Sequence, residues 1–399
     1  MRRSNLFATI SKESVSDADC RSEELMQKAG LIHSYGSGTF GYTHLGKKVL
    51  DNIEQVVRDE MDEVAQEVRM NLLQTSKLWK ESARWKNFEG EEFFHLKNRD
   101  DKDFCLAATH EEAVVGMTRK FVQSYRDLDF TVYQIGRKFR DDHARKGLLR
   151  AKEFTMKDAY SFHQNKEKLD EKFDEMIEVY CQIFDRLGLD YSVVGAENGS
   201  MGGNSSREFL AESEAGSDTY LKCTKCSYAT KDSETEKCQE CGSEMKKSTC
   251  IEIGHCFKLG TRYSDSMNLN FTDNKEQKRT VEMGCYGIGV SRLLSAIIEQ
   301  NNDKNGINWN QKVSAFKTAI IIASENEKAV NKAEEIYSKL DEETILFDRE
   351  TSVGEKFAEA NLIGAQRKII LGNKFLETGK IEIETRGGET RLAENTSQL

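Results

Sequence analysis

Apolar residues recur at helical spacing over residues 45–69, where Leu45, Val49, Ile53, Val56, Val57, Met61 and Val64 share one face, so the pattern predicts a long amphipathic helix. A second run over residues 165–187, with Leu169, Phe173, Ile177, Val179, Tyr180 and Phe184, predicts another helix that ends near Gly188, because glycine suits the residue just past a helix end. Between them, FTVYQIGRKFR and LLRAKEFTM alternate with the two-residue period of strands, joined by the polar, basic DDHARKG. That is the pattern of a hairpin with a charged loop. Farther on, CIEIGHCFKLGTRYS and VEMGCYG read as strands and a helix follows from near Gly289 to Glu299. Together these predict an α+β domain on a mostly antiparallel sheet. Past the turn from Gly306 to Trp309, the strand-like TAIIIAS, ETILFDRE, RKIILG and KIEIETR alternate with helical stretches at 328–340 and 355–363. Such alternation predicts a separate small α/β domain over 311–399.

The chain has 399 residues, enough for two or three domains. Its 58 Lys and Arg against 68 Asp and Glu leave a formal charge of -10, which excludes holding nucleic acid or an anionic membrane by bulk charge. Any RNA contact must come from local basic patches. No apolar run approaches the roughly 20 residues that span a bilayer, and the opening MRRSNLFATISKESVSD turns acidic too soon for a targeting segment. The expectation is a cytoplasmic protein with neither a membrane nor a DNA partner. Proline is absent, where average usage of about 5% would supply roughly 20.

Ten cysteines without a secretory signal read as thiols and metal ligands. Cys223, Cys226, Cys238 and Cys241 form two C-x-x-C turns separated by eleven residues, a spacing that suits one structural zinc ion in a ribbon. A loop that binds no metal and a redox pair are the other readings of the same four residues. With four thiolate ligands, zinc would keep no open position for catalysis.

Three further segments carry chemistry, each with an ordinary reading beside it. Thr109-His110-Glu111-Glu112 fits a capping box at a helix start, with Thr109 and Glu112 satisfying backbone amides; Glu111 is left over and suits a substrate ammonium. The hairpin bearing Arg140, Asp142 and Arg150 is either a solvated charged loop or a source of guanidinium groups for phosphate. In Gly284-Cys285-Tyr286-Gly287-Ile288-Gly289, followed by Arg292, the glycines allow close backbone approach where a strand meets a helix. The spacing is not that of a dinucleotide fingerprint.

An arginine in a strand hairpin together with an arginine opening a helix after a G-x-G strand end resembles the second and third signature motifs of class II aminoacyl-tRNA synthetases. Within that class, SGTFGYTHLG, LWKESARW, THEE, YQIGRKFRDD, LLRAKEFTMKDAYSFH, MGGNSSREF, GHCFKLGTRYS and GCYGIGVSRLLSAIIEQN occur in the order of bacterial prolyl-tRNA synthetases. DRETSVGEKFAEANLIG and RKIILG continue the likeness into an anticodon-binding domain. The resemblance implies a class II catalytic domain in two parts, 1–217 and 249–310, around a cysteine insert at 218–248, with the anticodon-binding domain at 311–399. It implies L-proline, ATP with Mg and tRNA(Pro) as ligands, and a homodimer.

By that resemblance, Arg140 contacts the α-phosphate, Arg292 the γ-phosphate with Arg150 assisting, and Phe154 stacks on adenine, with Asp142, Glu252 and His255 along the nucleotide. Thr109 and Glu111 receive the imino group of proline. Phe257 and Cys285 shape the pocket for its ring, bordered by His163 and Ser206. The family carries proline where this chain has His44, Asn71, Thr75, Ala108, Asn310, Ala315, Val353 and Gln366. Asn71 stands in the first motif, at the dimer interface, and Ala108 directly precedes Thr109. Asp142 and Arg207 replace the family's usual glutamate and histidine. The family's usual editing insertion is missing between the second and third motifs, which implies no editing in cis. A proline-free chain with this activity could be translated without its own product.

Overall fold

The computed structural model describes residues 1–11, 18–86, 93–196, 205–340 and 343–398. Met201–Asn204, the start of the MGGNSSREF run, lie outside the described residues. The chain forms two compact units, one of Gly36–Thr39 with Glu54–Ala296, the other of Met1–Tyr35, Phe40–Ile53 and Ile297–Leu399.

The first unit is built on a nine-stranded sheet. Toward one end of it lies the antiparallel hairpin of Phe130–Phe139 with Glu153–His163, against which Glu282–Ile288 and then Met245–Gly260 are laid antiparallel. The long Met245–Gly260 strand pairs with Asp218–Cys223 through its first residues and with Ser205–Glu212 through the rest. One face is covered by the helix Lys166–Leu187, whose Asn165 side chain accepts from Lys168 N and which ends at Gly188 in the left-handed region (φ 71°). Its apolar stripe is buried, including Phe173, Tyr180 and Phe184, and Phe209 meets the last two rings at centroid distances of 5.3 and 5.2 Å. Burial of each such side chain is worth about 1.5–3 kcal/mol. Alternation along the strands then turns Asp158, Tyr160, His255, Phe257 and Cys285 to the other face.

Three expectations change at their edges. The helix predicted over 45–69 stops at Met61, because Gln66–Glu67 pairs with Val132 and Tyr133 as an edge strand, and sheet pairing outweighs the continuing apolar period. The LLRAKEFTM strand begins only at Glu153; Gly147–Leu149 form a 3-10 turn after Lys146 in the left-handed region, with Leu148 and Leu149 buried as a plug. CIEIGHCFKLGTRYS is extended to Gly260 and then turns into a short helix at Arg262–Ser266.

In the second unit, the strands Thr344–Phe347, Thr318–Ile322 and Arg367–Leu371 lie parallel, and Ile381–Thr385 and Thr390–Ala393 extend the sheet antiparallel. Side chains of Asn326 and Ser352 cap the helices Glu327–Lys339 and Val353–Leu362. In the helix His44–Met61, a Cβ on Gly46 would lie 2.0 Å from the Leu31 carbonyl oxygen. Gly46→Ala should therefore lose about 1–3 kcal/mol of stability despite alanine's helix preference; an unchanged denaturation midpoint would refute this.

Some positions where the resemblance implies proline are held by side-chain bonds instead. Asn71 Nδ2 donates to Leu73 O at 2.6 Å, and Asn310 Oδ1 accepts from Lys312 N at 2.8 Å and Val313 N at 3.2 Å. Such turns restrain the backbone without a ring. His44 and Val353 are first helical residues, where proline's missing N–H is dispensable and other residues fit as well.

Candidate active site

The helix Glu111–Thr118 starts after His110, and no side chain caps it. The capping box expected of Thr109 and Glu112 is thus not formed, because both side chains have other partners. Thr109 Oγ1 donates to Glu111 Oε2 at 2.6 Å. Glu112 Oε1 accepts from Ser82 Oγ at 2.7 Å and from Arg84 Nη1 at 3.1 Å. Arg84 Nη1 also lies 3.4 Å from Glu111 Oε2, and its guanidinium stacks over Trp79 and Tyr263. Arg84, Glu111 and Glu112 are all buried. Burial disfavours the Arg84 charge, but Glu112 and Glu111 outweigh that and raise its pKa. One cation faces two carboxyl groups, an excess of acceptors that suits an ammonium.

Register across the sheet brings the pocket's other walls together. Ser206 lies opposite Phe257, Phe257 opposite Cys285, and Cys285 opposite Tyr160. Burial, then the field of Glu111, pushes the Cys285 thiol up, so it stays protonated and donates to Glu111 Oε1 at 3.2 Å. His163 is not brought to this group. It is an odd number of residues from Tyr160 and so points to the opposite face, where Nδ1 lies 3.3 Å from Asp129 Oδ1.

Behind Thr109 and Glu111 runs a buried polar network that sequence reading missed. Asp158 accepts from Lys138 Nζ at 2.6 Å, Tyr160 OH at 2.8 Å and Gln134 Nε2 at 3.0 Å. Tyr160 OH accepts from His110 N at 3.2 Å, and His110 Nε2 donates to Asn71 O at 3.1 Å. Burial, with Lys138 nearby, lowers the His110 pKa from 6.5 to about 4. Between those values the unfolded chain binds the extra proton, so stability should fall as pH drops from 6.5 toward 4. His110→Asn should flatten that part of the curve; thermal melts at pH 7 and 5 in which the variant loses as much as the parent would refute it.

The cationic side of the site adjoins this pocket. Arg140 Nε donates to Ala108 O at 3.3 Å, next to Thr109, and its guanidinium lies 5.7 Å from the Phe154 ring centroid. Arg150 pairs with Asp142. Arg292 donates through Nε to Leu149 O at 3.0 Å and through Nη1 to Glu252 O at 2.8 Å. Burial lowers the Arg292 pKa, Glu252 opposes this, and the positive fields of Arg140 and Arg150 add to the lowering. Three guanidinium groups whose charges oppose one another are arranged for an anion. Arg145, Lys146, Arg150, Glu252 and Arg292 line a cleft of about 490 Å³. His255 Nδ1 lies 3.0 Å from Glu252 Oε1, and its ring stacks on Phe257 at 3.7 Å. The buried His255 Nε2 has no hydrogen-bond partner among the described residues.

The first C-x-x-C turn joins the strands Asp218–Cys223 and Ala229–Thr230, and the second precedes Met245–Gly260. All four sulfurs lie within 4.8 Å of one another, with Cys223 to Cys241 at 3.4 Å and Cys226 to Cys238 at 3.5 Å. That fits a tetrahedron with metal–sulfur distances of about 2.3 Å.

Arg84 and Glu112 could have been flagged in sequence only as charges within the LWKESARW and THEE runs, since nothing local shows that they meet. Comparison with known proteins gives the family. Residues 94–301 match the tRNA synthetase class II core domain (G, H, P, S and T), and residues 317–397 match an anticodon binding domain. The chain is 38% identical to the proline--tRNA ligase of Ehrlichia ruminantium (strain Gardel), over 100% of this chain and 98% of the relative. It is 36% identical to that of Sulfurimonas denitrificans, with the same coverage. With that of Thermoanaerobacter pseudethanolicus it shares 31% over 550 aligned positions, covering 98% of this chain and 96% of the relative. A class II core domain followed by an anticodon binding domain, with full-length likeness to these enzymes, means that the chain belongs to the proline--tRNA ligase family of class II aminoacyl-tRNA synthetases.

Proposed function

We propose that the chain activates L-proline with ATP and transfers it to tRNA(Pro) in the cytoplasm. A proline carboxylate oxygen attacks the α-phosphorus, pyrophosphate leaves, and the terminal ribose hydroxyl of the tRNA then attacks the prolyl carbonyl and releases AMP. The observation that carries this reading is the unbroken run of contacts from Thr109 and Glu111 through Cys285, Phe257, His255 and Glu252 to Arg292. Glu111 and Thr109 hold the imino group, Phe257, Cys285 and Ser206 bound the ring, and Arg140 steadies charge growing on the α-phosphate. Arg292 and Arg150 hold the remaining phosphates, while Phe154, Asp142, Glu252 and His255 line the nucleotide. Mg bound with ATP supplies further neutralisation of the phosphates. His163 stays outside this assignment because of its strand face.

Residues 1–217 and 249–310 act as the catalytic part, 218–248 as a zinc-bearing insert and 311–399 as the reader of the anticodon. Zinc at the four cysteines would be structural, since four thiolates leave no open ligand position. The alignment with the Thermoanaerobacter enzyme spans 550 positions for a 399-residue chain, so about 150 positions have no counterpart here, which supports the absence of editing in cis.

Dimerisation is supported by the three-stranded sheet of Leu73–Thr75, Asp103–Leu106 and His95–Lys97. Gln74 and Cys105 are buried beneath it, while Leu73 and Leu96 are exposed on its outer face. An apolar sheet face beside the first motif suits a second copy. Light scattering should return the mass of a dimer, and Leu73→Lys should shift it to a monomer; a parent protein that is monomeric at micromolar concentration would refute the assignment. The function itself is tested by amino-acid-dependent exchange of pyrophosphate into ATP, with proline compared against alanine, cysteine and threonine. Exchange with proline alone is expected, and none from a folded sample would overturn the reading.

A further inference from the structure

We propose that Lys231, carried between the two C-x-x-C turns, is a positioning residue for the nucleotide site, so that metal at the cysteines and ATP in the cleft bind cooperatively. The inference rests on the nucleotide reading above. Lys231 follows the strand Ala229–Thr230, which is fixed against Asp218–Cys223 by the pairing of Leu221 with Thr230 and by Cys223 N donating to Tyr228 O at 2.8 Å. The first cysteine turn therefore sets where Lys231 begins. Its ammonium pairs with Glu208 and lies 3.4 Å from Asp218 Oδ2. Glu208 stands opposite His255 in register, with Oε1 3.9 Å from His255 Nδ1, and the same nitrogen lies 3.0 Å from Glu252 Oε1. Glu252 O in turn accepts from Arg292 at 2.8 Å.

Lys231 thus neutralises a carboxylate that would otherwise stand as a second negative charge beside Glu252, at the edge of a cleft meant for polyphosphate. Glu208 is too buried for water to screen it well, its side chain being 10% exposed, and an unpaired charge there repels an anionic ligand. Because both cysteine turns bracket the lysine, loss of metal frees its backbone and weakens the same pair. Coupling between two ligands is reciprocal.

Calorimetric titration of the full-length, zinc-loaded protein with ATP tests this. Lys231→Met should weaken ATP binding roughly five- to ten-fold with the proline KM unchanged, Lys231→Arg should retain affinity, and Glu208→Gln added to Lys231→Met should recover most of it by removing the buried one of the two carboxylates left unpaired, the other, Asp218, being half-exposed. In the parent, ATP should slow release of zinc to a chromophoric chelator, and in Lys231→Met it should not. Unchanged ATP affinity in Lys231→Met, or a loss that moves the proline KM and the melting temperature in step, would overturn the inference. Arg292→Ala separates the two levels: ATP binding that survives this change would overturn the nucleotide reading and the inference with it. If Arg292→Ala abolishes binding and Lys231→Met does not weaken it, the inference alone is wrong.

Discussion

Replacing Arg140 with alanine should lower proline-dependent pyrophosphate exchange by roughly 10²–10³-fold, the cost of removing one preorganised donor from charge that grows in a transition state. The backbone at Ala108 fixes the guanidinium from one side and the Phe154 ring borders it on the other, so its position precedes substrate binding. A lysine should restore little, because a point charge cannot reproduce the planar fork that meets two phosphate oxygens. The loss should fall on kcat more than on the ATP KM, since the α-phosphate gains charge only as the carboxylate attacks. A decrease of less than ten-fold with either substitution would remove Arg140 from the assigned role.

Glu111→Gln should raise the proline KM by about 100-fold or more, on the scale of 3–5 kcal/mol for breaking a buried ion pair, while leaving the ATP KM nearly unchanged. Charge pairing sets the size of the effect. Arg84 is shared between Glu111 and Glu112, and burial, reinforced by Glu111, pushes the Glu112 pKa up against the pull of Arg84. An arriving imino cation completes a second pair with Glu111, and glutamine offers it only a dipole. Thr109 Oγ1 would keep an acceptor in the amide oxygen, so folding should be little affected. A proline KM within a few-fold of the parent, measured by exchange at saturating ATP, would refute this role.

The motifs were legible because they are local: Arg140 follows a strand whose alternation is plain, Arg292 follows three glycines, and four cysteines carry their own spacing. The same locality misled at Thr109, where T-x-x-E reads as a cap only until Ser82 and Arg84 arrive from another part of the chain. It misled at His163 as well, since resemblance supplies a residue but strand parity decides its face. The helix expected to reach residue 69 was cut short for a related reason: periodicity records which side chains are apolar, and a partner strand decides whether the backbone continues its own hydrogen bonds.

By itself the sequence determined the α+β class, the hairpin and long helices of the core and the alternating C-terminal elements, the cysteine site's composition and the presence of two arginines suited to phosphate. Each of these depends on neighbours a few residues apart, where covalent geometry fixes the spacing. Only the tertiary structure decided that Arg84 sits between two buried glutamates, that Asp158 anchors a network behind Thr109 and Glu111, and that Lys231 reaches Glu208. Those contacts join residues 20 to 40 positions apart or more, and their energies come from burial and from charges meeting in low dielectric, which no local pattern records.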